Sequence, residues 1–233
     1  ANSRGRLFDM DKQMNKMVPL IFDIKTVRLG GYFTLFALFA VFIYHFKLAG
    51  GSATKYESLQ TWVFLLSAVG ALAWILPAYF EIVNPDSKEL MLSLPINSFK
   101  FGFLRMLRLY TIYVLFILSV FTFIYIISDN TRLGFGIVEG ALIAGALFFL
   151  SGLGLASLLL TRQVVIGFAV PIGWVAVSYF FRGGGQWYLH PCQWIRPKPF
   201  VPYWKFVVAL WIAGLIFHII FTFLLKRREY LMK

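Results

Sequence analysis

The stretch IVEGALIAGALFFLSGLGLASLLL, residues 137–160, decides the fold of this 233-residue chain. Glu139 is its only charged side chain, and the stretch exceeds the roughly 20 apolar residues that a helix needs to cross a bilayer. In lipid the backbone N–H groups need partners within their own segment, so a helix is the expected conformation. The stretch therefore predicts a transmembrane helix.

Five further apolar runs share this character. With the first stretch they predict six transmembrane helices at residues 30–46, 59–80, 109–127, 137–160, 164–181 and 206–225. Hydrophobic residues make up 60% of the chain and charged residues 14%, too few to cover a soluble domain of this size. We predict an all-α membrane protein, with a six-span transmembrane domain over residues 30–233 and a tail over residues 1–29.

The tail carries a stripe of apolar residues at helical spacing, namely Met14, Met17, Val18 and Ile21. Since the stripe leads directly into the first apolar run, we predict an amphipathic helix in the cytoplasmic interface. The alternative is a polar tail with scattered hydrophobic residues.

The basic residues indicate the orientation. If the amino terminus is cytoplasmic, about two thirds of the 22 Lys and Arg residues fall in cytoplasmic segments. We therefore predict that both termini are cytoplasmic. The net charge of +12 lies mostly beside the apolar runs, where it meets lipid headgroups, so we do not expect nucleic-acid binding.

The segment between the second and third runs reads EIVNPDSKELMLSLPINSFKFGFLRMLR, residues 81–108. Its turn and proline signals predict a short cytoplasmic helix over residues 88–93, stopped by Pro95. Its leucines are too many for a solvated loop and should be covered, by a partner or by the bilayer itself. After this helix we expect Lys100, Arg105 and Arg108 to face the cytoplasmic headgroups.

The string DSKELMLSLPI, residues 86–96, resembles the cytoplasmic loop of exporter-type ABC transporter permeases of the ABC type-2 superfamily, which are bacterial plasma-membrane subunits. The six-span count, the interfacial helix and the basic carboxyl end agree with that resemblance. It implies a coupling helix between spans 2 and 3 that inserts into a separate ATPase subunit. The residues implied to make this contact are Glu89, Leu90, Ser93, Leu94 and Pro95.

The resemblance also implies the partners. Two copies of the ATPase subunit would bind ATP and Mg, this chain would hold no cofactor, and a second permease copy or a paralogue would complete the transporter. The chain contains no GxxxxGK[ST] phosphate loop of its own, so we expect it not to be an enzyme.

The segment between the last two runs, residues 182–205, is rich in aromatic residues. Such residues form interfacial belts at headgroup depth, but they could also form an outer gate over a transport route. The residues concerned are Trp187, Tyr188, Trp194, Tyr203 and Trp204. The family has short re-entrant helices here, which supports the gate, whereas Pro191, Pro197, Pro199 and Pro202 disfavour a long regular helix.

Other chemistry finds little support. His190 and Cys192 are too few for a metal site, and His45 and His218 are expected at different depths, which disfavours paired haem ligation. Gly152 and Gly154 lie inside a span, where small residues allow close helix contact.

We expect a permease subunit that exports an amphipathic or hydrophobic cargo such as a peptide, lipid or drug. The alternative is a non-transport membrane subunit: an ABC-linked sensor or immunity component, a scaffold, or an electron-transfer anchor.

Overall fold

A computed structural model describes residues 32, 36–38, 40, 53–84, 98–127, 137–180, 188–191 and 203–227. Within these ranges the elements are helical and no strand occurs. The helices are α1, Ala53–Ile75; a 3₁₀ turn, Leu76–Tyr79; α2, Phe80–Val83; a π-helix, Phe99–Leu104; α3, Arg105–Ile127; α4, Ile137–Thr161; α5, Val164–Phe180; and α6, Tyr203–Lys226.

Four helical segments are long and apolar enough to cross a membrane: Thr61–Val83, Phe99–Phe123, Ile137–Thr161 and Tyr203–Lys226. They lie on the second, third, fourth and sixth predicted runs, and α5 is a shorter apolar helix on the fifth. The predicted all-helical character is confirmed over the described residues, and the length and apolar composition of these four segments support the predicted location in a membrane. The predicted interfacial helix in the tail lies outside the described residues, and only a few positions of the first run are described.

The third run differs from its prediction at the amino-terminal end. The apolar helical segment begins at Phe99, whereas the predicted membrane span began at residue 109. The sequence places Arg105 and Arg108 in this interval, and charged residues read as the edge of a span. The helix continues through them because Arg105 is buried with partners of its own.

Helix α4 lies at the centre of the bundle, and α6 packs closely along it because glycines face the contact. A Cβ atom added to Gly152 would lie 2.6 Å from Nδ1 of His218, and one added to Gly214 would lie 2.6 Å from Cδ1 of Phe148. On another face of α4, a Cβ on Gly154 would lie 3.0 Å from the carbonyl oxygen of Gly167 in α5. These distances confirm that the small residues of this run serve close helix contact.

Aromatic side chains fill the space between α3, α4 and α6. The Tyr110 hydroxyl donates to the Ala144 carbonyl oxygen at 2.7 Å, and the Trp211 indole N–H donates to that of Ala141 at 3.2 Å. The ring of His218 stacks on Phe148 with centroids 4.3 Å apart. These contacts join three helices around the middle of α4.

His218 is fully buried in this cluster. Its Nδ1 lies 2.7 Å from the Gly214 carbonyl oxygen, and since a carbonyl only accepts, Nδ1 carries the proton. The histidine thus lies flat against α4, in the space that the missing side chain of Gly152 leaves open.

Candidate functional site: the base of the 85–97 loop

The sequence singled out the loop that joins α2 to the π-helix. All of its predicted ATPase-contact residues, Glu89, Leu90, Ser93, Leu94 and Pro95, lie outside the described residues. The structure describes the two chain ends that carry this loop, at Asn84 and Ser98. The geometry of these ends decides how a force on the loop would reach the spans.

The incoming end is shaped by a proline. Pro77 lies at the start of the 3₁₀ turn, where the missing N–H interrupts the helical ladder, and the Phe80 N–H closes the turn on the Pro77 carbonyl oxygen. The turn buries Tyr79 completely. The Tyr79 hydroxyl donates to the Gly102 carbonyl oxygen at 2.8 Å and lies 3.4 Å from the Phe101 carbonyl oxygen. Both carbonyl groups belong to the segment that follows the loop.

The outgoing end is a π-helix, Phe99–Leu104, that runs directly into α3. A π-turn has one more residue than an α-turn and is found mostly as a single turn at functional sites. Here the wide turn includes both carbonyl groups that face Tyr79. The π-turn is therefore held in place by the Tyr79 side chain, which belongs to the segment before the loop.

Arg105 makes the reciprocal connection. It is only 3% exposed, and its Nη1 donates to the Ala78 carbonyl oxygen at 3.0 Å. The guanidinium carbon lies 5.0 Å from the ring centre of Phe101 and 5.7 Å from that of Tyr79. A buried charge is costly unless it has such partners. The expectation that Arg105 faces the headgroups is thus wrong.

We call Tyr79, Phe101, Gly102 and Arg105 the loop-base clamp. A hydroxyl of the incoming end binds the outgoing backbone, and a guanidinium of the outgoing end binds the incoming backbone. The two segments that flank the loop are consequently fixed to each other, a few residues away from Asn84 and Ser98.

The clamp also rests on the end of α6. The rings of Tyr79 and Phe221 meet edge to face with centroids 5.0 Å apart. A Cβ atom on Gly102 would lie 2.9 Å from Cδ2 of Leu225, so the π-turn packs closely against the end of α6 at this glycine. The loop base, the start of α3 and the last turns of α6 therefore form one packed unit.

The aromatic segment at the opposite end of the bundle is described over residues 188–191. The Trp174 indole N–H donates to the Leu189 carbonyl oxygen at 3.0 Å. Because Trp174 lies six residues before the end of α5 at Phe180, this contact is about 9 Å inward along the helix. The segment thus folds back beside α5.

His190 is buried in the same place, and its burial lowers the pKa of its imidazole below the ordinary value, although backbone hydrogen bonds partly oppose the shift. Tyr188 packs against Phe206 of α6, with ring centroids 5.6 Å apart. The segment therefore contacts both α5 and α6.

The other predicted aromatic residues are dispersed or undescribed. Tyr203 is half-buried, and Trp204 is exposed with the Lys205 ammonium 5.8 Å from its ring centre. Trp187 and Trp194 lie outside the described residues. The sequence reasoning missed Trp174 because an aromatic residue inside a span reads as core.

In the part of the chain that the structure describes, no three His, Cys, Asp or Glu side chains lie close enough together to bind a metal ion.

No protein-family model matches the chain, and no curated protein or solved structure shows significant similarity to it.

Proposed function

We propose that this chain is the membrane-spanning permease subunit of an ATP-driven exporter of the ABC type-2 kind. In this proposal it has six spans, both termini lie in the cytoplasm of a bacterium, and residues 88–93 form the coupling helix. The observation that carries the proposal is the loop-base clamp, because it fixes the two segments that flank the loop to each other and to α6.

The clamp is what a mechanical connection requires. A loop on flexible ends would absorb a push by bending, whereas packed elements move as rigid bodies. The two segments that flank the 85–97 loop are joined by buried contacts at Tyr79 and Arg105, and α6 is in turn packed against α4 through Gly152 and Gly214. A partner that moves the loop would therefore move α3 and α6 with it.

The partners follow from the same proposal. Two copies of a separate ATPase subunit bind ATP and Mg and grip the coupling helix through Glu89, Leu90, Ser93, Leu94 and Pro95. A second permease copy or a paralogue forms the other half of the route. The apolar and aromatic interior suits an amphipathic or hydrophobic cargo, such as a peptide, lipid or drug.

The segment that contains residues 188–191 acts as the outer gate in this proposal. Its support is the contact between Trp174 and Leu189, which draws the segment inward between α5 and α6. A purely interfacial belt would lie along the membrane surface and would not reach this depth on α5.

Co-purification tests the proposal. The full chain is expressed in its native host, extracted in mild detergent and purified through a tag on the chain, and co-purifying proteins with Walker motifs are identified by mass spectrometry. We expect a stoichiometric ATPase with the wild type, and its loss with Leu94→Asp, because a buried carboxylate at the contact costs several kcal/mol.

The control is Asn97→Asp, which adds the same charge in the same loop outside the proposed contact residues. We expect it to retain the ATPase. If the wild type never retains an ATPase, or if both variants lose it equally, the permease proposal is wrong and a non-transport membrane subunit becomes the better explanation.

A further inference from the structure

A cavity of about 210 Å³ lies between α1 and α5, away from the loop-base clamp. Its lining includes Leu65, Ala68 and Leu72 on α1 and Ile172, Ala176 and Phe180 on α5. These positions recur every three or four residues, so each helix presents one face to the cavity. We call this cavity the α1–α5 groove.

The groove is long and narrow. Its lining positions extend over eight residues of α1, Leu65 to Leu72, and nine of α5, Ile172 to Phe180, which is about 11 Å along a helix axis. A volume of 210 Å³ spread over that length gives a cross-section of about 20 Å². A mean cross-section of this size is enough for one extended hydrocarbon chain.

Water is a poor occupant of this space. A buried water needs two to four polar partners, and among the described residues that line the groove only Tyr179 carries a polar side-chain group. Apolar cavities of about 150 Å³ already bind benzene-sized molecules and stay dry. The groove is larger and is lined by the same kinds of side chain, so its physical occupant is hydrocarbon.

The groove is also open toward the lipid. Its rim residues Val69, Ile172 and Phe180 are 37%, 39% and 81% exposed. The lining residues of α1 belong to Thr61–Val83, one of the four segments that are long and apolar enough to cross a membrane. We therefore expect the groove to lie at the depth of the acyl chains. Its length of about 11 Å covers most of one leaflet, which is about 15 Å of hydrocarbon.

We propose that the α1–α5 groove binds one acyl chain of a membrane phospholipid, in the leaflet that meets the Phe180 end of α5. The chain extends from Phe180 inward toward Ile172 and Leu72, and its headgroup lies at the surface beside the end of α5. This site does not depend on the proposed transport role.

Photolabelling tests the site. The full chain is reconstituted into nanodiscs with a phosphatidylcholine that carries a diazirine on one acyl chain, irradiated and mapped by peptide mass spectrometry. We expect labels to concentrate on the lining residues of the groove. Replacing Ala176 by phenylalanine fills the groove and should reduce these labels about tenfold. A tenfold weaker binding corresponds to a loss of about 1.4 kcal/mol of binding free energy.

The matched control is Ala169→Phe. Ala169 lies on the same exposed face of α5, two turns away from Ala176, and does not line the groove. It should leave the labelling unchanged. Ala68→Leu fills the groove more gently from α1 and should reduce labelling as well, so a folding defect of one variant cannot decide the result.

Two results would overturn the proposal. One is labelling of the groove no denser than that of the exposed faces of α3 and α6. The other is labelling of the groove by a free alkyl diazirine but not by the phospholipid probe, because the groove would then bind a soluble ligand or cargo and not a membrane lipid.

Discussion

Replacing Gly152 by alanine tests the contact between α4 and α6 with a single added carbon. That carbon would lie 2.6 Å from Nδ1 and 2.7 Å from Cε1 of His218, and 3.1 Å from the Gly214 carbonyl oxygen. The imidazole cannot turn aside without cost, because it donates to Gly214 and stacks on Phe148. Either α6 moves away from α4, or the ring leaves both partners.

The size of the effect follows from these contacts. Overpacking costs about 1–3 kcal/mol, and a displaced ring loses about 1 kcal/mol of hydrogen bond and about 1 kcal/mol of stacking. Alanine recovers up to about 1 kcal/mol because it favours helix more than glycine. We expect the free energy of unfolding to fall by about 2 kcal/mol.

The assay is unfolding of the purified chain in mild detergent, followed by far-UV circular dichroism and tryptophan fluorescence. Gly173→Ala is the control, because a Cβ atom there meets nothing within 4 Å. It should be neutral or stabilising by up to about 1 kcal/mol. The reasoning is refuted if Gly152→Ala is as stable as Gly173→Ala.

A second substitution tests whether the contact with the His218 ring causes the loss of stability in Gly152→Ala. Replacing His218 by alanine in the Gly152→Ala background removes the ring that meets the new carbon. The two changes together should then cost less than the sum of their separate effects, by about 1 kcal/mol. Strict additivity would show that the ring and the glycine do not share the contact.

Substitutions at three further residues probe the ends of the bundle. Tyr79→Phe removes the hydroxyl that donates to Gly102 and should lower the free energy of unfolding by about 1 kcal/mol in the same assay. Arg105→Met leaves the Ala78 carbonyl oxygen without this donor and should cost about 1–3 kcal/mol, while Arg105→Lys recovers only part because an ammonium lacks the planar stacking face. His190 has a lowered pKa, so the neutral form is favoured in the folded state, and the unfolded chain takes up the proton first as the pH falls below about 6.5. The wild type should therefore lose stability between about pH 7 and pH 5, and His190→Gln should lose less over that interval; equal losses would mean that another group titrates.

The membrane-helical character could be predicted because its signal is strong. Long apolar runs with few charges leave little choice of conformation in lipid, and the run over residues 137–160 is the central helix α4. The close contacts at Gly152 and Gly154 could also be predicted, since small residues inside a span have few other uses. Which helices they approach could not, because spacing along one helix does not identify the partner.

The loop-base clamp escaped prediction for a related reason. Arg105 reads as the edge of a span until its acceptor is known, and that acceptor lies on Ala78, far away along the chain. Tyr79 reads as an ordinary aromatic residue of a span, and its partners belong to a π-turn that no residue pattern announces. The coupling residues within 85–97 stay a prediction.

Photocrosslinking from position 94 tests the central claim most directly. A benzoylphenylalanine in place of Leu94 is irradiated in intact cells, and the adduct is identified by mass spectrometry. The account predicts one dominant adduct, a cytoplasmic ATPase with Walker motifs. Adducts to lipid alone, or reaction of a cysteine at position 94 with a membrane-impermeant reagent added outside the cell, would contradict it.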